Sequence, residues 1–180
     1  MMTKIDKAEK RRQSIDFRIK GAWLAISKMY NVLGTDFDIT HSTGFVLLNI
    51  DVEEGTPATK IAPLMGMEAR SLTRMLKTME EQGVIERVAD ENDRRKVIIK
   101  LTEKGKVKRE MSKQTVKVFQ GRVRNIVSEE DMETFFKVLD SVHNVIQDPE
   151  HGMLDEIKER LAEKGITEDK VIPPNQRKPL

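Results

Sequence analysis

Apolar residues recur every three or four positions in three long stretches of the chain, the spacing of amphipathic helices. The first stretch begins at Ile15 and ends at Leu33, and Gly34 follows as a C-terminal stop. The other two begin at Thr102 and at Ser128, where the residues that follow Ser128 resemble a capping box. Each predicted helix has one apolar stripe and little else in the chain to cover it. The pattern therefore predicts that these stripes are buried against a second copy of the chain.

Shorter helices are predicted between the first and second of these stretches. Thr40 is a candidate cap for a helix that runs through Ile50. Thr56-Pro57 predicts the start of the next helix, with the hydroxyl as cap and proline at the first helical position. Gly66 then predicts a tight turn, and a further helix covers about residues 68–82.

The apolar pattern changes after residue 83 from helical spacing to that of strands. Apolar and β-branched residues at 84–88 and 97–101 flank a charged turn at 90–96, which predicts a two-stranded hairpin. Helix, tight turn, helix and hairpin, in this order, form a winged helix-turn-helix. The predicted fold class is mainly α with a small β-hairpin wing, between N- and C-terminal dimerisation helices. The predicted division is residues 1–55 for the N-terminal dimerisation helix and second helix, 56–101 for the winged helix-turn-helix, 102–148 for the long C-terminal dimerisation helices, and 149–180 for a short helix and flexible tail.

Composition excludes several classes of site. The chain has no cysteine, which excludes a disulfide framework, a thiolate zinc site and a cysteine redox sensor. Its three histidines lack metal-ligand spacing, and no phosphate-binding loop or nucleophile motif is present. We therefore expect no metal, no cofactor and no enzyme activity. The N-terminal residues have no apolar signal core, and the apolar runs are too short to span a bilayer, so we expect a cytoplasmic protein with no membrane partner.

Positive charge is concentrated in the middle of the chain. Residues 60–113 contain 14 Lys and Arg against 9 Asp and Glu, a net charge of +5, whereas the whole chain has a net charge of +2. A basic region of this kind favours a polyanionic partner. On charge alone, a solvated helical surface is an equally good interpretation.

The predicted helix at 68–82 has two contrasting faces. One face carries the apolar residues Leu72, Met75, Leu76 and Met79, which would anchor it to its domain. The outward residues are short, hydroxyl-bearing or basic: Arg70, Ser71, Thr73, Arg74 and Lys77. Arginine can bond a guanine edge in two places, and serine or threonine can reach a base or a phosphate. An ordinary exposed helix face is the alternative interpretation.

The predicted turn of the hairpin contains three consecutive cations, Arg94, Arg95 and Lys96, preceded by Asp93. The narrow minor groove of A·T-rich DNA attracts arginine through its negative potential, and Asp93 could orient a neighbouring arginine. A solvated charged loop is the alternative. Because the turn follows a basic helix by only one short strand, we favour DNA as the partner.

Three segments between Thr56 and Gly105 resemble the multiple-antibiotic-resistance-regulator (MarR) family: KIAPLMG, ARSLTRMLKTMEEQGVIER and DENDRRKVIIKLTEKG. A weaker likeness extends over residues 10–147. The resemblance implies a homodimer that binds near-palindromic operators in double-stranded DNA and is often released by a small-molecule effector. It also implies that Arg95 contacts the minor groove, with Arg94 as second candidate and Asp93 as positioning partner. The predicted function is a homodimeric, sequence-specific transcription regulator, a repressor by family analogy; the alternative is a winged-helix protein–protein module that does not bind DNA.

The chain departs from the family pattern in its second helix and in its tail. Gly44 stands where the family usually carries a bulky residue, which predicts either a close helix contact or a small cavity. Trp23, Tyr30, His41 and Phe45, with Gly44, are candidates to line a ligand pocket where the dimerisation helices meet the winged domain; plain core packing is the alternative. The tail beyond residue 149 exceeds the usual family length.

Overall fold

The computed structural model describes residues 9–10, 12–90, 93, 96–148 and 152–166 of the 180-residue chain. They fall into two compact units that divide between Val123 and Arg124. The helices are α1 (Ile15–Gly34), α2 (His41–Leu48), α3 (Ala58–Leu64), α4 (Ala69–Glu81), α5 (Glu103–Arg124), α6 (Glu129–Gln147) and α7 (Met153–Glu163). The strands are β1 (Thr56–Pro57), β2 (Ile85–Ala89) and β3 (Val97–Leu101). The predicted fold class, mainly α with a small β wing, is confirmed.

α1 ends at Gly34, as predicted, but Gly34 does not have the left-handed conformation of a glycine stop. Gly34 keeps a right-handed helical φ of −82°, and the chain continues into a 3₁₀ turn at Thr35–Phe37. The left-handed residue is Asp38, with a φ of 52°. A Cβ on residue 34 would lie 2.0 Å from the carbonyl oxygen of Ile39. The predicted position of the helix end is therefore correct, but glycine is required at residue 34 for a close backbone approach and not for a left-handed turn.

The segment from α2 to α3 confirms one predicted cap and corrects another. The Thr40 hydroxyl accepts a hydrogen bond from the Thr43 amide at 3.1 Å, as expected of the α2 cap, but α2 ends at Leu48 and does not run through Ile50. The helix predicted to start at Thr56-Pro57 begins at Ala58, but Thr56 and Pro57 themselves form strand β1, so the predicted roles of the hydroxyl as cap and of proline as first helical residue are wrong. The Thr56 hydroxyl accepts from the backbone N–H of Asp51, and Pro57 is the N-cap of α3.

The wing is a three-stranded antiparallel sheet in the order β1-β3-β2. β2 pairs with β3 from Ile85 opposite Leu101 to Ala89 opposite Val97, as the hairpin prediction requires. β1 adds a third strand, with Thr56 opposite Ile99, that was not predicted. Two residues are too few to show an alternating pattern, so sequence periodicity could not reveal this strand.

One buried apolar cluster holds the helix-turn-helix and the wing together. Its members come from α2 to the end of β3 and are Val46, Leu47, Ile50, Ile61, Leu72, Leu76, Met79, Val84, Ile85, Ile99 and Leu101. Because α4 and the wing share this core, their relative position is fixed by close packing. Between α3 and α4, Gly66 has a φ of 57°, which confirms the predicted tight turn.

Several long helices have apolar side chains that this single chain leaves exposed. On α1, Trp23 and Leu24 are 53% and 58% exposed, and on α6 Phe135 is 54% exposed. The Ser128 hydroxyl caps α6 by accepting from the Asp131 amide at 3.1 Å, as predicted. None of the helices in the described part of the chain is long and apolar enough to cross a membrane.

Candidate nucleic-acid interface and ligand cavity

Helix α4 presents the outward face that the sequence predicted. Leu72, Leu76 and Met79 are buried in the core, and Met75 is partly buried against it. The five candidate side chains on the opposite face are all exposed: Arg70, Ser71, Thr73, Arg74 and Lys77. Anchoring on one side and exposure on the other are the two properties required of a helix that enters a DNA groove.

The cationic side chains on the exposed face of α4 form few ion pairs with the described residues. Arg70 and Arg74 form no salt bridge with any residue that the structure describes. Lys77 lies 3.8 Å from the Glu81 carboxylate, and both side chains are more than 60% exposed, so this contact is weak. The Thr73 hydroxyl donates to the Ala69 carbonyl at 2.8 Å and keeps its oxygen available as an acceptor. The face can therefore offer charged donors to an incoming polyanion.

The described part of the wing turn is closed by short hydrogen bonds. The Asp90 amide donates to the Lys96 carbonyl at 3.0 Å, and the Asp93 amide donates to the Asp90 carboxylate at 2.9 Å. The Asp93 carboxylate also lies 3.7 Å from the Lys96 ammonium. These contacts hold the two candidates Asp93 and Lys96 together at the turn. The other two candidates, Arg94 and Arg95, lie outside the described residues.

The end of the wing is connected to the end of α4 through the residues that start α5. Thr102 donates its hydroxyl to the Gly83 carbonyl at 2.7 Å and accepts from the Gly105 amide at 3.0 Å. Lys104 donates to the Gln82 carbonyl at 2.8 Å. A Cβ on Gly105 would lie 1.9 Å from the Val84 carbonyl oxygen. The LTEKG sequence at residues 101–105 ends the third segment quoted above for its family resemblance. Its contacts join α4, the wing and α5.

Arg87 is a site-forming residue that the sequence analysis missed. Its Nε donates to the Glu80 carboxylate at 2.7 Å and connects β2 to the last turn of α4. This hydrogen bond lowers the pKa of Glu80 and raises that of Arg87. The sequence pattern gave no signal for this contact, because the partner of Arg87 lies seven residues earlier in another element. Its charge is used within the protein and is not free for a phosphate.

Four of the five candidate pocket residues line one cavity. Tyr30, His41, Gly44 and Phe45 line one cavity of about 70 Å³, which is partly open to solvent. The remaining lining comes from the end of α1, the turn before α2 and the middle of α5. Trp23, the fifth candidate, does not line this cavity but places its ring 5.0 Å from that of His41, edge to face.

Aromatic rings form one wall of the cavity. The rings of Tyr30 and His41 are stacked, with centroids 5.6 Å apart and planes inclined by 11°. Phe119 meets Tyr30 edge to face at 5.9 Å. Burial lowers the pKa of His41 and raises that of Tyr30, which favours the neutral form of each ring.

Gly44 allows the close helix contact, which was one of the two alternatives that its presence predicted. A Cβ at this position would lie 3.1 Å from the Ser112 hydroxyl and 3.4 Å from a methyl carbon of Ile39. α2 therefore approaches α5 closely at this point, and Gly44 is one of the residues that line the cavity. Nearby, the largely buried Lys108 side chain on α5 donates to the Asp38 carbonyl at 2.6 Å and to its carboxylate at 3.1 Å.

Comparison with known proteins supports the resemblance drawn from the sequence. The MarR family model matches residues 39–97. The HTH-type transcriptional regulator SarZ of Staphylococcus aureus (strain MRSA252) is 33% identical over 95 residues, 52% of this chain and 64% of SarZ. The chain therefore matches less than two thirds of the length of this relative.

Solved structures share the fold at lower identity. The MepR–DNA complex of S. aureus superposes with a TM-score of 0.68 and 20% identity, covering 73% of this chain and 97% of that one. CouR from Rhodococcus jostii RHA1, bound to p-coumaroyl-CoA, gives a TM-score of 0.62 and 21% identity over 76% of this chain and 94% of CouR. The segment at residues 39–97, which contains the helix-turn-helix and the strands β1 and β2, is therefore similar to the MarR family in sequence, and the chain shares the fold of these solved structures.

Proposed function

We propose that this protein is a homodimeric transcription regulator that binds double-stranded DNA. α4 would enter the major groove, with Arg70 and Arg74 reading base edges and Lys77 neutralising a phosphate. Ser71 and Thr73 would supply short-range polar contacts. The wing turn, with Arg94, Arg95 and Lys96, would reach the adjacent minor groove. The division of the chain into dimerisation helices, winged segment and tail belongs to the same proposal.

One observation carries this proposal: the exposed face of α4 offers two arginines that form no salt bridge with the described residues, on a helix fixed to the wing. The Arg87–Glu80 hydrogen bond and the contacts of Thr102 would hold these two elements in one orientation. A rigid pair of reading elements lowers the ordering cost of binding a duplex. The related SarZ is named a transcriptional regulator, and MepR was solved with DNA, which gives the proposal support from outside the chain.

Dimerisation is proposed from the exposed apolar stripes of α1 and α6. Large apolar side chains that remain exposed together are typical of surfaces that bind a partner. Sedimentation velocity at micromolar concentration should give the mass of two chains. A monomer under these conditions would contradict the proposal, because two recognition helices are needed to read a near-palindromic operator.

DNA binding is tested by fluorescence anisotropy on a labelled duplex selected from genomic fragments by the purified protein. Arg74→Ala should weaken binding by about 1–3 kcal/mol, about five- to 150-fold, if the side chain reads a base. Lys117→Ala is the matched control, since Lys117 is an exposed cation in the middle of α5, outside α4 and the wing, and the DNA affinity of this variant should stay within about twofold of wild type. Equal affinities for wild type and Arg74→Ala would refute the assigned role of α4.

We also propose repression with release by a small molecule bound in the Tyr30–His41 cavity. The cavity lies between the long helices α1 and α5 and the start of the winged segment, so a ligand there would contact both parts. A ligand shifts an equilibrium only by its differential affinity for the two states. A compound that binds the cavity should therefore lower DNA affinity, and DNA should lower the affinity for the compound by the same factor.

The alternative, a winged protein–protein module, predicts no salt-dependent DNA binding. In such a module the α4 face would contact a protein partner. Anisotropy that stays at its baseline with mixed genomic fragments at low salt would favour this alternative.

A further inference from the structure

Glu68 is the N-cap residue of α4, but its side chain does not cap the helix. Its carbonyl oxygen accepts the first helical hydrogen bonds, from the amides of Ser71 at 3.0 Å and Leu72 at 3.1 Å. The carboxylate makes no capping bond to the helix, whereas serine, threonine, aspartate and asparagine are the residues that cap this position best. Capping therefore does not explain why a glutamate stands here.

The Glu68 side chain is exposed and has no ion-pair or hydrogen-bond partner among the residues that the structure describes. On a helix, a side chain meets those three and four positions later, and here these are Ser71 and Leu72, neither of which is a cation. The other acids of α4 lie in its last turn, where basic side chains contact them. Within the described chain, Glu68 is therefore a charge without a counter-ion, beside a helix face that is otherwise basic or neutral.

A carboxylate close to DNA is unfavourable unless a base compensates it. The phosphates repel it, and a carboxylate that loses water needs a hydrogen-bond donor in exchange. In a helix-turn-helix, the N-terminal residues of the recognition helix contact base edges in the major groove, and Glu68 holds this position on α4. In that groove cytosine presents its N4 amino group alone, whereas adenine places the N7 acceptor beside its N6 amino group. Cytosine is therefore the base that accommodates this carboxylate best.

We propose that Glu68 is a specificity-determining residue, whose carboxylate accepts a hydrogen bond from the N4 amino group of one cytosine in each half of the operator. The inference rests on the proposed DNA-binding function and specifies one base that is read. Attraction to the duplex comes from the cations of α4 and the wing. Glu68 acts mainly by excluding the other bases at its position, since guanine and thymine present acceptors to it and adenine presents N7.

The test measures how each base pair of the selected duplex contributes to binding. Every position is changed to the other three base pairs, in both half-sites together, and the affinity of the full-length protein is measured by fluorescence anisotropy. In the wild type we expect one position in each half-site at which replacing a C·G pair by A·T or T·A weakens binding by about five- to 150-fold. In Glu68→Ala the loss at this position should fall to about twofold or less, while the losses at the other positions remain.

Two further variants separate base reading from an effect on the helix itself. Glu68→Gln keeps the size of the side chain and should change the preferred pair at this position from C·G to A·T, because a carboxamide bonds N6 and N7 of adenine together. Glu130→Ala is the matched control. Glu130 is an exposed acid in the first turn of α6, so its removal has the same kind of effect on a helix dipole, but every base preference should remain. Circular dichroism checks that each variant is folded.

The outcomes distinguish this inference from the proposed regulator function. Unchanged base preferences in the folded Glu68→Ala and Glu68→Gln variants would overturn the role of Glu68 and leave the DNA-binding proposal standing. A change confined to positions where the wild type prefers an A·T pair would do the same. A wild-type protein that binds no duplex would overturn both proposals, and this result appears before any variant is made.

Discussion

Thr102 connects the wing to α4, and replacing it by valine tests how much that connection contributes. The hydroxyl makes two hydrogen bonds, one to the Gly83 carbonyl at 2.7 Å and one from the Gly105 amide at 3.0 Å. Valine keeps the shape and the β-branch but removes both. Losing the helix cap costs about 1 kcal/mol, and the lost bond to the Gly83 carbonyl about 1 kcal/mol more. We therefore expect Thr102→Val to reduce the free energy of unfolding by about 2 kcal/mol.

The measurement is urea denaturation followed by circular dichroism, at one fixed protein concentration because dimer stability depends on concentration. Thr78→Val is the matched control. Its hydroxyl makes only an exposed bond to the Arg74 carbonyl at 3.3 Å, so a change within about 0.5 kcal/mol is expected. If Thr102→Val destabilises the protein no more than this control, the reasoning about the junction is wrong.

Three further changes have definite expected outcomes. Gly105→Ala should destabilise the protein by about 3 kcal/mol or more in the same urea assay, since its Cβ would lie 1.9 Å from a carbonyl oxygen and the backbone must move. Because the hydrogen bond from Arg87 lowers the pKa of Glu80, this pair stabilises the fold at pH values above the ordinary carboxyl pKa and loses that effect as pH falls through the folded-state pKa. Glu80→Gln should therefore flatten the acid side of a plot of Tm against pH. An unchanged profile would contradict this role of the Glu80–Arg87 pair. Lys108→Met removes a hydrogen bond from a charged donor to a backbone carbonyl and should lower the free energy of unfolding, measured in urea, by about 1–3 kcal/mol. A variant more stable than wild type would show that the desolvation of the ammonium group outweighs its hydrogen bonds.

The sequence predicted those elements whose signal is local and repeated. α4 and the β2–β3 hairpin were predicted close to their observed bounds because burial on one face requires regular spacing, helical in one case and alternating in the other. Thr40 and Ser128 were recognised as caps because a hydroxyl at the start of a predicted helix can accept from a backbone N–H three residues later, and Ser128 also begins a capping-box-like sequence.

The errors occurred where a residue serves a distant partner. Gly34 was interpreted as a helix stop, but its missing side chain admits the carbonyl of Ile39. Thr56-Pro57 has the sequence of a helix start, yet the pairing of Thr56 with Ile99 on β3, more than 40 residues later, makes it a strand. Such long-range pairings leave no periodic trace in a single sequence, and tertiary contacts override the local preference.

In the candidate site, too, local features could be predicted from the sequence and contacts between distant residues could not. The outward residues of α4 were predictable because an amphipathic helix has only one free face. The link between Arg87 and Glu80, and the approach of Gly44 to Ser112, join elements that the sequence could not place relative to each other. The sequence analysis named candidate cavity residues from their type and position, but only the structure shows that the described lining of the cavity has no charged side chain.

The salt dependence of DNA affinity tests the central claim most directly. Wild-type protein and the Lys77→Ala variant are titrated onto the selected duplex between 50 and 200 mM salt, and the logarithm of the binding constant is plotted against that of the salt concentration. If α4 lies in the groove with Lys77 at a phosphate, the wild-type plot falls steeply and the variant's slope is smaller by about 1. A flat wild-type plot, or two identical slopes, would contradict the placement of α4 on DNA.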